Sequence, residues 1–268
     1  MCTQERGSNG ADNLEQRGNP YHAGSRSGIH APAWCDRVGS DSQDDPLTRV
    51  LAAHQPDLFP YSGFWFKMAN ADVFDIAIHD QFQDRGYQRR VKMRDRWASI
   101  PIRKPGGIVP IKDVRLARGA RDVLWDLVEG RHRGSRFWRQ RSEMVKGWFM
   151  NAPTHWLWEF NLHMIMAVKD DLLGLPTPLI IVDPPKGRQL DGIIDLCRQH
   201  RATQYISGQG GKAYMGENPE AVMREAGIDL WWVNHDPVTP DSVLTILFDL
   251  EEPAAAILQG EIVSAVPT

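Results

Sequence analysis

Cysteine is scarce in this 268-residue chain, and the three present (Cys2, Cys35 and Cys197) are scattered with no C-x-x-C spacing. Neither a disulfide framework nor a zinc knuckle is implied, and a reducing, cytoplasmic setting is the expectation. No apolar run approaches the ~18 residues that argue a membrane span. The opening "MCTQERGSNGADNLEQRG" also lacks the apolar stretch of a secretory signal. Repeats and heptads are missing, as is the G-x-x-x-x-G-K-[ST] spacing of a P-loop. Residues 1–45 hold few aliphatic side chains. Such a segment cannot bury enough surface to offset its ordering entropy, so a flexible leader is expected over residues 1–46.

What remains suits one globular domain over residues 47–268, since 42% of the chain is hydrophobic. The net charge of −3 conceals a division along the chain. Residues 85–141 carry 17 Lys/Arg against 5 Asp/Glu, whereas residues 142–268 carry 8 against 17. Either the two halves neutralise each other, or the basic segment is a platform for something phosphorylated. Candidate partners are a nucleotide-activated sugar, coenzyme A, the phosphopantetheine arm of an acyl carrier protein, or tRNA. Trp97, Trp125 and Trp138 lie among the arginines, a mixture found on RNA surfaces but equally suited to Arg stacked on buried Trp. No RNA-binding motif accompanies it.

Periodicity predicts an α/β fold with a mixed, partly parallel sheet flanked by helices. Strands are expected at "TRVLAAHQ", "VFDIAIH", "RWASIPIR", "GGIVPIKDVRLA" (after a turn), "PLIIVD", "TQYISG" and "DLWWVN". A helical insertion is expected around residues 119–173, with Pro153 closing its second helix and Thr154 available to cap its third. Further helices are read at "GFWFKMANA", "QLDGIIDLCRQH", "PEAVMREAG" and, as the last core element, "PDSVLTILFDL". Right-handed crossovers would bring the strand C-termini to one edge, where ligands of such sheets sit.

Three polar segments fall at predicted strand ends. His54 and Gln55 end the first strand, with Pro56 biasing Gln55 toward extended geometry. "IHDQFQDRGYQRR" follows the second and holds His79, Asp80, Gln81, Arg85, Tyr87, Gln88 and Arg90. His54, Gln55, His79, Asp80 and Gln81 are the candidate catalytic set, because a His–Asp pair can act as base and orienting acid. Arg85, Tyr87, Gln88, Arg90 and Tyr61 are candidate substrate contacts, with Arg suited to bidentate pairing with phosphate or carboxylate. "YISGQGGKAY" supplies the third segment, where Ser207, Gly208, Lys212 and Tyr214 are candidates for holding a phosphate in an anion nest. A plain hydrogen-bonded His, a solvated loop and a flexible turn are the structural alternatives to these three readings. No spacing favours a metal, and no cofactor is named by the residues.

In order along residues 50–250, these segments resemble the WbqC-like family. "HQPDLFPYSGFWFK" is similar to that family's His-Gln-Pro opening, "ADVF…QF…RGYQRR" to its second block, and "IIDLCRQHRATQYISGQGGKAYM…AGIDL" to its later one. "DSVLTILFDL" resembles its closing helix. The chain departs at Ile78-His79, where relatives show Asp-Asp, and has Arg89 for Asn and Thr245 for Asp. His79 or Asp80 would then carry the acid–base role. The resemblance implies a biosynthetic enzyme of surface-polysaccharide or natural-product assembly, with acyl or aminoacyl transfer to an amino sugar as its reaction. A nucleotidyl transferase and a non-catalytic module that binds a glycan precursor or carrier are the rival readings.

Overall fold

Eight strands are found among the residues described, 48–264, in a computed structural model of the chain. They are β1 (Val50–His54), β2 (Val73–Ile76), β3 (Arg90–Met93), β4 (Arg96–Ser99), β5 (Leu179–Ile180), β6 (Gln204–Ser207), β7 (Asp229–Asn234) and β8 (Glu261–Ser264). Six form one sheet in the order β5-β2-β1-β6-β7-β8, and β3 and β4 form a separate antiparallel hairpin. All pairings in the large sheet are parallel except β7 with β8. The fold is therefore α/β with a mixed, mostly parallel sheet. The leader expected over 1–46 lies outside the described residues; the strands expected at "TRVLAAHQ" and "TQYISG" are found, each ending one residue earlier, at His54 and Ser207.

β1 and β6 are the two central strands, and the apolar Leu51 and Ala52 of β1 are covered on both faces, as parallel strands require. Alternation sends Leu51 and Ala52 to opposite sides. Leu51 joins Val73, Tyr205 and Leu230 in the smaller core, beneath α5 (Gln189–His200) and α6 (Pro219–Glu225). Ala52 joins Phe74 and Ile206 in the larger core. That core is closed by α1 (Ser62–Ala69), α2 (Ala120–His132), α3 (Trp138–Asn151), α4 (Leu157–Ala167) and α7 (Val243–Asp249). Buried His200 closes the smaller face by bonding Asp75 of β2 at 3.0 Å.

Helices α2, α3 and α4 and a π-helical turn, Val168–Leu173, make up the insertion between β4 and β5. Four local expectations need correction. The strand read over "RWASIPIR" stops at Ser99 and pairs only within the hairpin. "GGIVPIKDVRLA" forms isolated bridges and a 3-10 turn, Ile111–Asp113, because its partners are short irregular segments rather than a sheet. Thr154 is not the cap of α4, since extended Trp156 holds that position and bridges Arg115, after the His155 carbonyl has accepted the Leu116 amide. The core does not end at residue 250: α8 (Pro253–Ile257) and β8 follow, and β8 covers the free edge of β7.

Gly211 sits where the chain leaves β6. A Cβ there would fall well inside contact distance of Ser207 Oγ and press on Met215 at 3.0 Å. Gly211→Ala should cost about 1–3 kcal/mol, as overpacking does, read as a lower urea midpoint with unchanged slope.

Candidate functional site

The strand order places a crevice. From β1 the chain moves outward through α1 to β2, and after the insertion it returns to the other side of β1 as β6. The segment after β1 runs to α1, in the larger core, while the one after β6 runs to α6, on the opposite face. Between two parallel strands whose connections part in this way, the C-terminal ends leave an opening where ligands bind in open α/β sheets. His54 and Ser207 stand at those two ends.

His54 turns inward. Its ring packs edge-on against Phe64 with centroids 5.1 Å apart, and Nδ1 lies 3.0 Å from the Gln55 carbonyl and 3.6 Å from Asp57 Oδ2. A carbonyl only accepts, so this contact fixes the neutral tautomer with its proton on Nδ1 and the lone pair on Nε2. Burial, reinforced by the nearby Lys67 ammonium, pulls the imidazole pKa down to about 3. Among the described residues the ring makes no hydrogen bond to the 78–90 loop.

Beneath it lie two groups that sequence reasoning passed over. Lys67, on α1, is buried and donates to the Ala53 carbonyl at 2.7 Å. Asp57 is buried as well, on the turn that follows Pro56. Burial lowers the Lys67 pKa to about 7 and raises that of Asp57 to about 7, each partly offset by the other's charge. Two groups drawn toward neutrality from opposite directions mark a candidate acid–base site. A signal was present: a lysine inside an otherwise apolar helix, "SGFWFKMA".

Gln55 links the first segment to the second. Its Nε2 donates to Asp80 Oδ2 at 2.8 Å, and Gln88 Nε2 donates to its Oε1. Asn161, buried on α4, donates to the carbonyls of Pro56 (2.7 Å) and Gln88 (2.6 Å), and the Leu58 amide bonds the Tyr87 carbonyl at 2.9 Å. Burial raises the pKa of Asp80, with Asp75 adding to the effect and the Gln55 bond opposing it. Tyr214 reaches the same area from the third segment: its phenol is held above the ordinary value by burial and then by the Asp80 charge. Tyr61 and Tyr87 line a small pocket with Asp57, Lys92, Asp241 and Ser242. Burial, Asp57 and Tyr87 together raise the Tyr61 phenol.

Among the described residues, the other candidates form no hydrogen bond with His54 or Gln55. Arg90 stacks on Trp97 at 4.2 Å and donates to the carbonyl of exposed Arg85 at 3.1 Å. His79 is half-buried, and exposed Gln81 bridges Pro110 through its backbone. The glycine turn closes as a 3-10 helix, Gln209–Ala213, in which the Gly211 amide bonds the Gly208 carbonyl at 2.9 Å. Ser207 Oγ donates to that same carbonyl at 3.2 Å, and Lys212 lies over the Trp232 ring at 5.0 Å. No group of three His, Cys, Asp or Glu among the described residues is placed to hold a metal.

The model of the WbqC-like protein family matches residues 55–240, from the Gln of His-Gln-Pro to the loop before α7. No curated protein and no solved structure matches the chain significantly.

The Lys67 shift has a definite sign. A base whose folded pKa lies near 7, below its unfolded 10.5, burdens the folded state most at low pH and releases that burden as pH rises between the two values. Relative to Lys67→Met, the unaltered protein should gain up to about 1.4 kcal/mol per pH unit from pH 8 to 10, measured by urea unfolding across that range. Asn161→Leu should lower stability by about 2–4 kcal/mol, since it strips two carbonyls of their donor, checked by the same titration at one pH.

Proposed function

Since the chain belongs to the WbqC-like protein family, we propose that it is a biosynthetic transferase. It moves an acyl or aminoacyl group onto a small amine, such as an amino sugar in glycan or natural-product assembly. The observation that supports this reading is the neutral tautomer of His54, which leaves Nε2 free to accept a proton, on the strand end beside the switch-point crevice and close to Asp57 and Lys67. In the reaction the amine nitrogen attacks the acyl carbonyl carbon, and the bond from that carbon to its thiolate or alkoxide leaving group breaks. His54 Nε2 takes the proton shed by the nitrogen and returns it to the leaving group. The Asp57 carboxylate, 3.6 Å from Nδ1, stabilises the imidazolium formed between those two events.

A His pulled down to about 3 is a weak base while Lys67 is charged. Loss of the lysine proton removes one cause of that depression, and ionisation of Asp57 adds an opposing one. Both changes fall near pH 7. Gln55, tied to Asp80 and Gln88, keeps its second Nε2 hydrogen for the developing oxyanion, and Gln81 is the second donor. In this reading His79, the sequence neighbour of Asp80, orients it. Tyr61, Tyr87 and Gln88 position the acceptor, and Arg85 and Arg90 take a carboxylate or phosphate on it. In this reading Ser207, Gly208, Lys212 and Tyr214 take the donor's phosphate.

The test incubates the full chain with an amino-sugar nucleotide and acetyl-coenzyme A or an acyl carrier protein, with product read by mass spectrometry. Transfer should fall at least about 100-fold in His54→Gln, with a melting temperature within a few degrees of the original. The rate should rise with pH through about 7, and Asp57→Asn should move that ascending limb to lower pH, since Lys67 then loses the charge that holds its pKa up. Pyrophosphate release from ATP with no acyl product would instead favour nucleotidyl transfer. Tight binding that survives His54→Gln, with no product at all, would favour a carrier-binding module.

A further inference from the structure

Three cations of the basic segment meet carboxylates of the acidic C-terminal half. Arg94 pairs with Asp249, Lys92 lies 3.9 Å from Asp241, and Arg136 lies 3.6 Å from Glu251. Arg141 donates to the carbonyls of Leu250 and Glu251 at the end of α7. Four arginines without such a match are gathered in one place. Arg103, Arg115, Arg118 and Arg121 line a single cleft of about 350 Å³ together with His155. The one carboxylate in its walls, Asp122, is already paired with Arg121 Nε at 3.0 Å. Among the described residues, Arg103, Arg115 and Arg118 have no carboxylate partner.

These side chains stand on a braced frame. The Arg103 amide bonds the Arg115 carbonyl (2.9 Å), the Leu116 amide bonds His155 (3.0 Å), and the Ala117 amide bonds Pro101 (3.1 Å). Arg115 stacks over Trp156 at 4.6 Å, and Arg121 also donates to the Met150 carbonyl at 3.3 Å. α2 begins in the same wall with Gly119 as its cap, so no side chain covers its first-turn amides. Like charges gathered around a concavity repel one another, and an anion inside relieves that repulsion at every contact.

We propose that this cleft is a binding site for the diphosphate group of a small ligand. Guanidinium pairs recognise phosphoryl oxygens in a bidentate manner, and the cleft has the volume of a small-molecule site rather than a flat stripe. A nucleic-acid strand is disfavoured, because Arg115 already covers the Trp156 face that a base would stack on. The cleft is linked to the crevice through the chain. The Ile111 amide bonds the Asp80 carbonyl at 2.9 Å, and Arg115 follows four residues later, at most about 14 Å along the chain. The proposal goes beyond the transferase reading and does not depend on it.

Calorimetric titration of the full chain with inorganic pyrophosphate, at low ionic strength, tests the site directly. One saturable site is expected, weakened about tenfold or more by Arg103→Gln/Arg118→Gln, with melting temperature unchanged because neither side chain has a described partner. His54→Gln should leave this affinity as it was, which separates the cleft from the reaction centre. Equal binding by the double variant would overturn the proposal. So would loss of binding in Lys212→Gln alone, which would move pyrophosphate to the glycine turn. A single-stranded RNA dodecamer bound at least a hundredfold more tightly than pyrophosphate, and released by the double variant, would replace the proposal with a nucleic-acid surface.

Discussion

A lysine buried under the end of the central strand β1 is the constraint around which the His-Gln-Pro turn is arranged. Lys67 cannot reach water from the middle of α1, so the fold answers its charge locally, with the Ala53 carbonyl and the Asp57 carboxylate. Removing an ammonium from water is costly unless it is paired and hydrogen-bonded. Holding Asp57 there requires the tight turn after Pro56, in which the Asp57 amide bonds the Gln55 carbonyl at 2.9 Å. That turn in turn sets the tautomer of His54, because the same carbonyl faces Nδ1. The protonation states of three side chains are thus coupled through a few atoms of backbone.

Around this centre the remaining polar loops are positioned by the insertion as much as by the sheet. Asn161 stands on α4 yet joins two carbonyls from different loops, so the helical insertion holds Pro56 and Gln88 at a fixed separation. Arg131 does similar work for the hairpin, donating from α2 to the carbonyls of Arg96 (2.6 Å) and Trp97 (2.8 Å). Asp241 receives the Asp95 amide at the hairpin tip, where Arg94 and Asp95 both take the left-handed conformation. A two-residue tip of that kind matches the strand twist, and without glycine it needs this outside support. The site is a joint product of β1, the insertion and the approach to α7.

The parallel sheet was legible because its strands are short apolar runs bounded by turn residues, and "VLAAH", "VFDI", "QYIS" and "DLWWVN" differ in kind from their surroundings. "EIVS" was not, since four residues after a Gly carry little pattern and gain meaning only from the β7 edge that they cover. Residues 101–117 deceived for a related reason. Their β-like composition serves isolated bridges that local propensity cannot distinguish from a sheet. The candidate site was visible as polar residues at strand ends. The inward turn of His54 was hidden, however, because it depends on Asp57 and Lys67, whose importance lies in burial rather than in spacing. Charge was informative in aggregate and ambiguous in detail: some arginines meet the acidic half, and those around Arg115 do not.

The pairing of β1 with β6 joins parts of the chain made far apart in time. Arg49 and Thr203, hydrogen-bonded beside that pairing, are 154 residues apart in sequence. At roughly 5–20 residues per second, translation separates the two strands by on the order of ten seconds or more. Throughout that interval one flank of a central strand has no native mate on the nascent polypeptide. Until β6 is made, β1 waits with one flank unpaired, a stage at which chaperone shielding has the greatest effect.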